Sequence, residues 1–152
     1  MTKSKSGRKM IKKVRIFAGL SGGALAALED ACRRQTAKKG ALIVKEGTPG
    51  RHWFLIGQGR VEVIKVGRSG ETRLVELGAG DFFGEMSIIE CRKRSASIRA
   101  LEPIILYRLE RGDLLRVFQK WPGQYAILIY NIARDLCRRL REMDEVFAGR
   151  AF

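Results

Sequence analysis

"GDFFGEMSIIECRKRSASIRA", residues 80–100, is the stretch on which the reading turns. Glu85 and Arg94 stand among Phe82, Phe83, Met86, Ile88, Ile89, Ala96 and Ile98, a neighbourhood built for burial. Taking an ion out of water costs several kcal/mol unless it gains a partner. Either the two charges pair with each other and close a turn, or a ligand supplies their partners. Taken alone, the two charges favour the ion pair; the surrounding glycines and the rest of the stretch turn the reading to a ligand. "FGE" leads from a strand into about one helical turn, "EMSII". Gly84 permits close approach of the backbone. The N–H groups of Glu85, Met86 and Ser87 would then point one way, as at an anion-holding helix N-terminus. The planar fork of Arg94 suits two oxygens of one phosphate. An ionised Glu85 can only accept hydrogen bonds, which suits a sugar hydroxyl.

Outward from this stretch, residues 36 to 109 alternate short β-rich runs with glycine turns: "ALIVKEG", "HWFLIGQG", "RVEVIKVG", "ETRLVELGAG", "SASIRALE" and "IILYRLE". In "RVEVIKV" the period is two, which predicts Val61, Val63 and Lys65 on one face and Glu62, Ile64 and Val66 on the other. "GRSGE" joins that run to "TRLVEL" as a hairpin. Six or more short strands at this spacing predict a mainly β protein, a jelly-roll β-barrel (double-stranded β-helix). Helices flank it. Ser21 is positioned to cap an N-terminal helix with Leu25, Leu28 and Cys32 on its apolar side. "RGDLLRVFQKW" predicts a helix with Leu114, Leu115 and Phe118 as its stripe, and Pro122 then redirects the chain. The last helix has Ile127, Tyr130, Ala133 or Arg134, Cys137 and Leu140 at spacings of three and four. The expected organisation is a basic, disordered tail over 1–13 and one domain over 14–147, with the barrel at 36–109 and C-terminal helices at 111–146.

Composition narrows the class. The chain has 152 residues, 45% hydrophobic and 30% charged, as a globular domain does. No apolar run is long enough to span a membrane. Cys32, Cys91 and Cys137 are far apart and form no metal or redox motif, so they read as reduced thiols of a cytoplasmic protein. Thirty basic against sixteen acidic residues give +14, and seven of the basic ones (Lys3, Lys5, Arg8, Lys9, Lys12, Lys13, Arg15) lie in the first fifteen positions. Half of the excess is therefore a property of the tail.

A phosphate, a free 2'-hydroxyl and a base in one small package describe a cyclic nucleotide. Residues 81–100 closely resemble the phosphate-binding cassette of cyclic-nucleotide-binding domains, the family of catabolite activators, protein kinase A regulatory subunits and cyclic-nucleotide-gated channels. The likeness extends to "IFAGLS", "KEGTPG", "LIGQGRVEV", "LGAGDFFGE" and the helical end. It implies that Gly84 and Glu85 hold the ribose 2'-hydroxyl, that Ser87 gives its N–H to the cyclic phosphate, and that Arg94 neutralises the phosphate with Ser95 beside it. Met86 belongs to the same turn. Leu74 and Val75 would wall the base. A threonine in the place of Ser95 accompanies cGMP preference in this family, so cAMP is favoured here over cGMP. The last helix would cap the base through Ile127, Tyr130 and Arg134 and would carry the response, with a homodimer through that helix and an unidentified protein effector as partners. No metal and no cofactor beyond the ligand are implied.

Other functions fit less well. The single histidine, His52, has no nucleophile motif beside it, and no H-E-x-x-H, P-loop or metal-ligand spacing is present, so an enzyme is not expected. The pI of about 10.4 raises the alternative of a basic nucleic-acid-associated protein that keeps the fold without a ligand. The residues after the last helix are too few for a helix-turn-helix, so sequence-specific DNA binding is not expected.

Overall fold

The computed structural model describes residues 11–90 and 92–150. A 3₁₀ turn at Arg15–Phe17 leads to α1 (Gly22–Ala31). Eight strands follow: β1 (Arg33–Ala37), β2 (Leu42–Val44), β3 (His52–Gln58), β4 (Val61–Gly67), β5 (Gly70–Leu77), β6 (Phe82–Phe83), β7 (Ser97–Ala100) and β8 (Ile104–Glu110). Between β6 and β7 lies α2 (Glu85–Glu90), and after β8 come α3 (Arg111–Lys120) and α4 (Pro122–Arg150). The strands form two antiparallel four-stranded sheets, ordered β1-β8-β3-β6 and β2-β7-β4-β5. That order is a jelly roll, as the strand spacing predicted.

β3 shows how the layers stack. Trp53, Phe54, Leu55 and Ile56 are all buried, although successive strand residues point to opposite faces. Both faces of its sheet are covered. Phe54 and Ile56 meet Val61, Ile98 and Leu106 between the two sheets. Trp53 and Leu55 pack outward against Phe17, Leu28, Leu114, Leu128 and Ile132 of the helical layer. The other sheet turns its outer face to solvent, and there Glu62 is buried by charge: Arg73 lies 2.7 Å and Arg99 2.6 Å from its carboxylate. The two arginines, Arg99 foremost, hold the Glu62 carboxyl below its ordinary pKa.

The boundaries differ from the sequence reading in places. Residues 1–10 of the expected tail lie outside the described residues, but Ile11 is fully buried in the core, so folded structure starts before residue 14. β1 begins at Arg33, ahead of the expected barrel start, because Arg33, Arg34 and Gln35 form a polar strand with no alternation to read. Ser21 does stand at the start of α1, but its side chain makes no capping bond. Its N–H instead donates to Gln124 Oε1 of α4 at 2.8 Å. The hairpin at Gly67↔Gly70 forms as predicted.

The helical stripes are also shifted. α3 buries Leu114 and Val117 and leaves Leu115 and Phe118 half exposed. Asp113 in its first turn accepts from the Glu110 N–H at 2.7 Å, closing the helix start. α4 opens on Pro122, where a missing N–H costs nothing. It buries Leu128, Ile132 and Asp135, while Tyr130 and Leu140 point to solvent. Each helix carries two sets of apolar residues at helical spacing, and only tertiary packing decides which set faces inward. Leu114→Ala should therefore destabilise the protein by about 2–5 kcal/mol. The neighbouring Leu115→Ala should stay within about 1 kcal/mol of wild type. Urea unfolding of the two variants checks the assignment.

Candidate functional site

The cassette is built where β6 ends and α2 begins. Between them Gly84 adopts φ +87°, open to glycine and costly for other residues. A Cβ there would lie 2.8 Å from Arg94 Nη1 and 3.0 Å from the His52 carbonyl. The missing side chain is what lets Arg94 slide under the turn. Arg94 is buried, and its backbone is pinned on both sides: its N–H donates to Thr48 O at 2.8 Å and its carbonyl accepts from Gly47 N at 2.9 Å. Its guanidinium donates from Nη2 to His52 O at 2.6 Å and from Nη1 to Gly84 O at 3.2 Å. No carboxylate lies within 4 Å of it among the described residues. Burial consequently pulls its pKa below the ordinary value, with Glu85 opposing from a distance.

Glu85 opens α2, and it too is buried. Its Oε2 has no hydrogen-bond partner among the described residues. Burial raises its pKa; Arg139 pulls back most strongly, and Arg94 more weakly, while Asp135 adds to the rise. The buried ion pair that would have closed the turn is thus absent. The two charges feel each other without touching, and each has unused capacity: a fork without an anion, and a carboxylate oxygen without a donor. Such a group is costly to leave unmet in an interior.

Two residues of this neighbourhood escaped the sequence reading. Arg139 of α4 donates from Nη2 to the Phe82 carbonyl at 2.8 Å, and its guanidinium sits 4.5 Å over the Phe82 ring. Its Nε lies 2.7 Å from Asp135 Oδ2, an ion pair without hydrogen-bond alignment. Arg138 donates to the other Asp135 oxygen at 2.9 Å. The pair ties α4 to β6, the strand that leads into the turn before Glu85. Its only sequence signal is the i, i+4 acid–base spacing, masked by the run of arginines at 134, 138, 139 and 141.

The remaining predicted residues are placed as follows. Met86 is half exposed on α2. Ser87 lies in the same helix, with its side chain outside the described residues. Ser95 is exposed just before β7, and its carbonyl accepts from Lys65 Nζ at 3.0 Å. Val75 sits opposite Val63 and packs against the inter-sheet core. Leu74 does not share that wall. The β4–β5 register passes from Val63↔Val75 to Ile64↔Arg73, which leaves Leu74 as the extra residue of a bulge, 40% exposed. Ile127 is partly buried against the helical core. Tyr130 and Arg134 stack on each other at 5.8 Å on the solvent side of α4. The helix therefore meets the cassette strand through Arg139 rather than through these three. His52 contributes its carbonyl; its ring faces Glu110, with Nε2 at 3.6 Å.

The site is thus a jelly-roll turn with a buried arginine fork, a buried carboxylate oxygen without a donor and a positive-φ glycine between them. The chain belongs to the cyclic nucleotide-binding domain family, whose model matches residues 34–120. It is 35% identical over 113 residues to the cyclic AMP receptor protein of Thermus thermophilus, across 74% of this chain and 50% of that protein. It is 33% identical over 124 residues to the cyclic nucleotide-gated channel rod photoreceptor subunit alpha of Gallus gallus, across 78% of this chain and 19% of that protein. Among solved structures, a cyclic nucleotide-binding domain from Methylobacillus flagellatus superposes with a TM-score of 0.84 at 26% identity, covering 96% of this chain and 83% of that one. The Thermus thermophilus catabolite activator protein superposes with 0.74 at 32% identity, covering 90% and 63%. The chain thus spans half or less of the two sequence relatives.

Glu85 carries a pH signature. Between its ordinary pKa and the raised one, the folded protein holds a proton that the unfolded chain has lost, so stability falls as pH rises through that window. Glu85→Gln, which keeps the shape and removes the charge, should make the ligand-free protein more stable at neutral pH and flatten that part of the stability–pH curve. Thermal unfolding of both proteins across the acidic range tests it.

Proposed function

We propose that this chain binds a cyclic nucleotide, cAMP in preference to cGMP, and works as a ligand-controlled regulatory module. The observation that carries the reading is the pair of buried, mutually unpartnered charges at Glu85 and Arg94. In this reading Arg94 takes the cyclic phosphate with both terminal nitrogens, and the N–H groups of Met86 and Ser87 complete the anion site. Glu85 accepts from the ribose 2'-hydroxyl through the oxygen that lacks a donor. Gly84 keeps the turn open for the sugar, Val75 offers apolar surface to the base, and Ser95 lies beside the phosphate. Ser95 in place of threonine supports cAMP over cGMP. The matched relatives with cyclic-nucleotide names support the ligand class.

The regulatory output falls to α4 in this reading, through the residues that touch the cassette strand. A hydroxyl donated to Glu85 stabilises its ionised form, and ionised Glu85 attracts Arg139 more strongly. Ligand would then favour the arrangement in which α4 is clamped to β6, and only that difference in affinity moves the equilibrium. The lid contacts first assigned to Ile127, Tyr130 and Arg134 pass to Arg139.

Arg94→Ala removes the counter-charge of a desolvated phosphate, a loss of about 2–5 kcal/mol or roughly 30- to 4,000-fold in affinity. Calorimetric titration of wild type and variant with cAMP and cGMP tests the assignment, with circular dichroism confirming the fold. Unchanged affinity in the variant would sink it. Arg139→Ala should weaken cAMP binding less, and should also abolish the ligand-induced rise in hydrogen-exchange protection expected along α4. Protection that still rises along α4 in Arg139→Ala would remove Arg139 from the relay.

A further inference from the structure

The strand pairing that leads to Arg94 is interrupted just before it. β2 and β7 pair from Leu42↔Arg99 to Val44↔Ile98. Contact between the two chain segments resumes around Arg94, through the Gly47 N–H and the Thr48 carbonyl, and at the bridge Pro49↔Lys93. Between these two stretches the chain turns, with Thr48 Oγ1 donating to the Lys45 carbonyl at 2.6 Å and Gly47 at φ +81°. A turn cannot continue the ladder. The backbone bonds that hold Arg94 would then form a small patch, able to open without the rest of the sheet.

Side chains fill the gap. Ser97, buried at the start of β7, accepts the Glu46 N–H on its Oγ at 2.9 Å. The Glu46 carboxylate crosses to β4, where Oε2 accepts from the Val66 N–H at 3.3 Å and Oε1 lies 3.8 Å from Lys65 Nζ. Lys65 Nζ in turn donates to the Ser95 carbonyl at 3.0 Å. Glu46 precedes Gly47 and Ser95 follows Arg94, so this circuit closes on the Arg94 bonds from both segments.

We propose that Glu46, Lys65 and Ser97 are positioning residues for Arg94, which hold its fork in place before any ligand arrives. The inference rests on the reading of Arg94 as the partner of a phosphate. A fork that is already fixed loses less freedom on binding, and affinity rises accordingly. Lys65 acts here as a tether and not as a second counter-charge, because Glu46 lies beside it with the opposite sign. Ser97 carries no charge, so its influence on Arg94 is positional.

Two measurements on the whole chain test this. In the ligand-free protein, hydrogen exchange at the Gly47 and Arg94 amides should speed up at least about threefold in Lys65→Met and in Ser97→Ala, while the amides of β3 keep their wild-type rates. Calorimetric titration with cAMP should show a loss of about three- to tenfold in each of Glu46→Ala, Lys65→Met and Ser97→Ala, well short of the Arg94→Ala loss. Lys65→Arg keeps a cationic donor and should retain most of the affinity. The sign of one variant separates tether from counter-charge: a Lys65 that neutralised phosphate would be freed by Glu46→Ala, and binding would tighten. Tighter binding in Glu46→Ala overturns the proposal, as does unchanged exchange at Gly47 and Arg94 in the other two variants. A wild type that takes up neither cAMP nor cGMP defeats the ligand reading alone, and the ligand-free exchange rates then decide whether these residues hold Arg94.

Discussion

Everything about the site follows from two opposite charges buried close together and kept from neutralising each other. Arg94 spends two of its donors on the carbonyls of His52 and Gly84. Glu85 lies across the turn with one oxygen unmet. An ion pair would have been the easy solution to their burial. The glycine at 84 and the hydrogen bonds that fix Arg94 between Thr48 and Gly47 hold the two apart. The cost of that separation is borne by the rest of the fold, chiefly by a β3 strand buried on both faces. In the proposed function, a ligand with an anion and a hydroxyl at the matching spacing recovers it.

The long helix extends this constraint outward. Asp135 and Arg139 bring a second charge pair to the back of the cassette, and they act on Glu85 with opposite signs. The helix is therefore electrostatically coupled to the state of one carboxylate. Its other face, away from the barrel, leaves Tyr130, Leu140 and Phe147 exposed.

Much of this was legible in the sequence, and the failures have physical causes. The strands and the jelly roll were readable because alternation and glycine turns mark each hairpin. The polar edge strand at Arg33 was not, since an exposed strand has no alternation to show. Glu85 and Arg94 stood out because charge inside an apolar run is costly, and both are buried. Asp135 and Arg139 were missed because on a helix rich in arginine a buried pair looks like any solvated one. Leu74 and Val75 were read as one wall; Val75 packs on the inter-sheet core, while Leu74 is the extra, 40% exposed residue of a bulge that strand alternation does not announce. Tyr130 was given an inward role because it belongs to a regular stripe; that stripe is real but faces away from the barrel.

The central claim is that the Arg94 guanidinium is kept available for a phosphate. Nuclear magnetic resonance of the arginine side chains, labelled with nitrogen-15 and titrated with cAMP, reads that group directly. The Arg94 Nε–H and Nη–H signals should shift on binding, their exchange with solvent should slow, and phosphorus coupling should appear across the new hydrogen bonds. Saturable binding of cAMP that leaves the Arg94 signals unmoved would contradict the account.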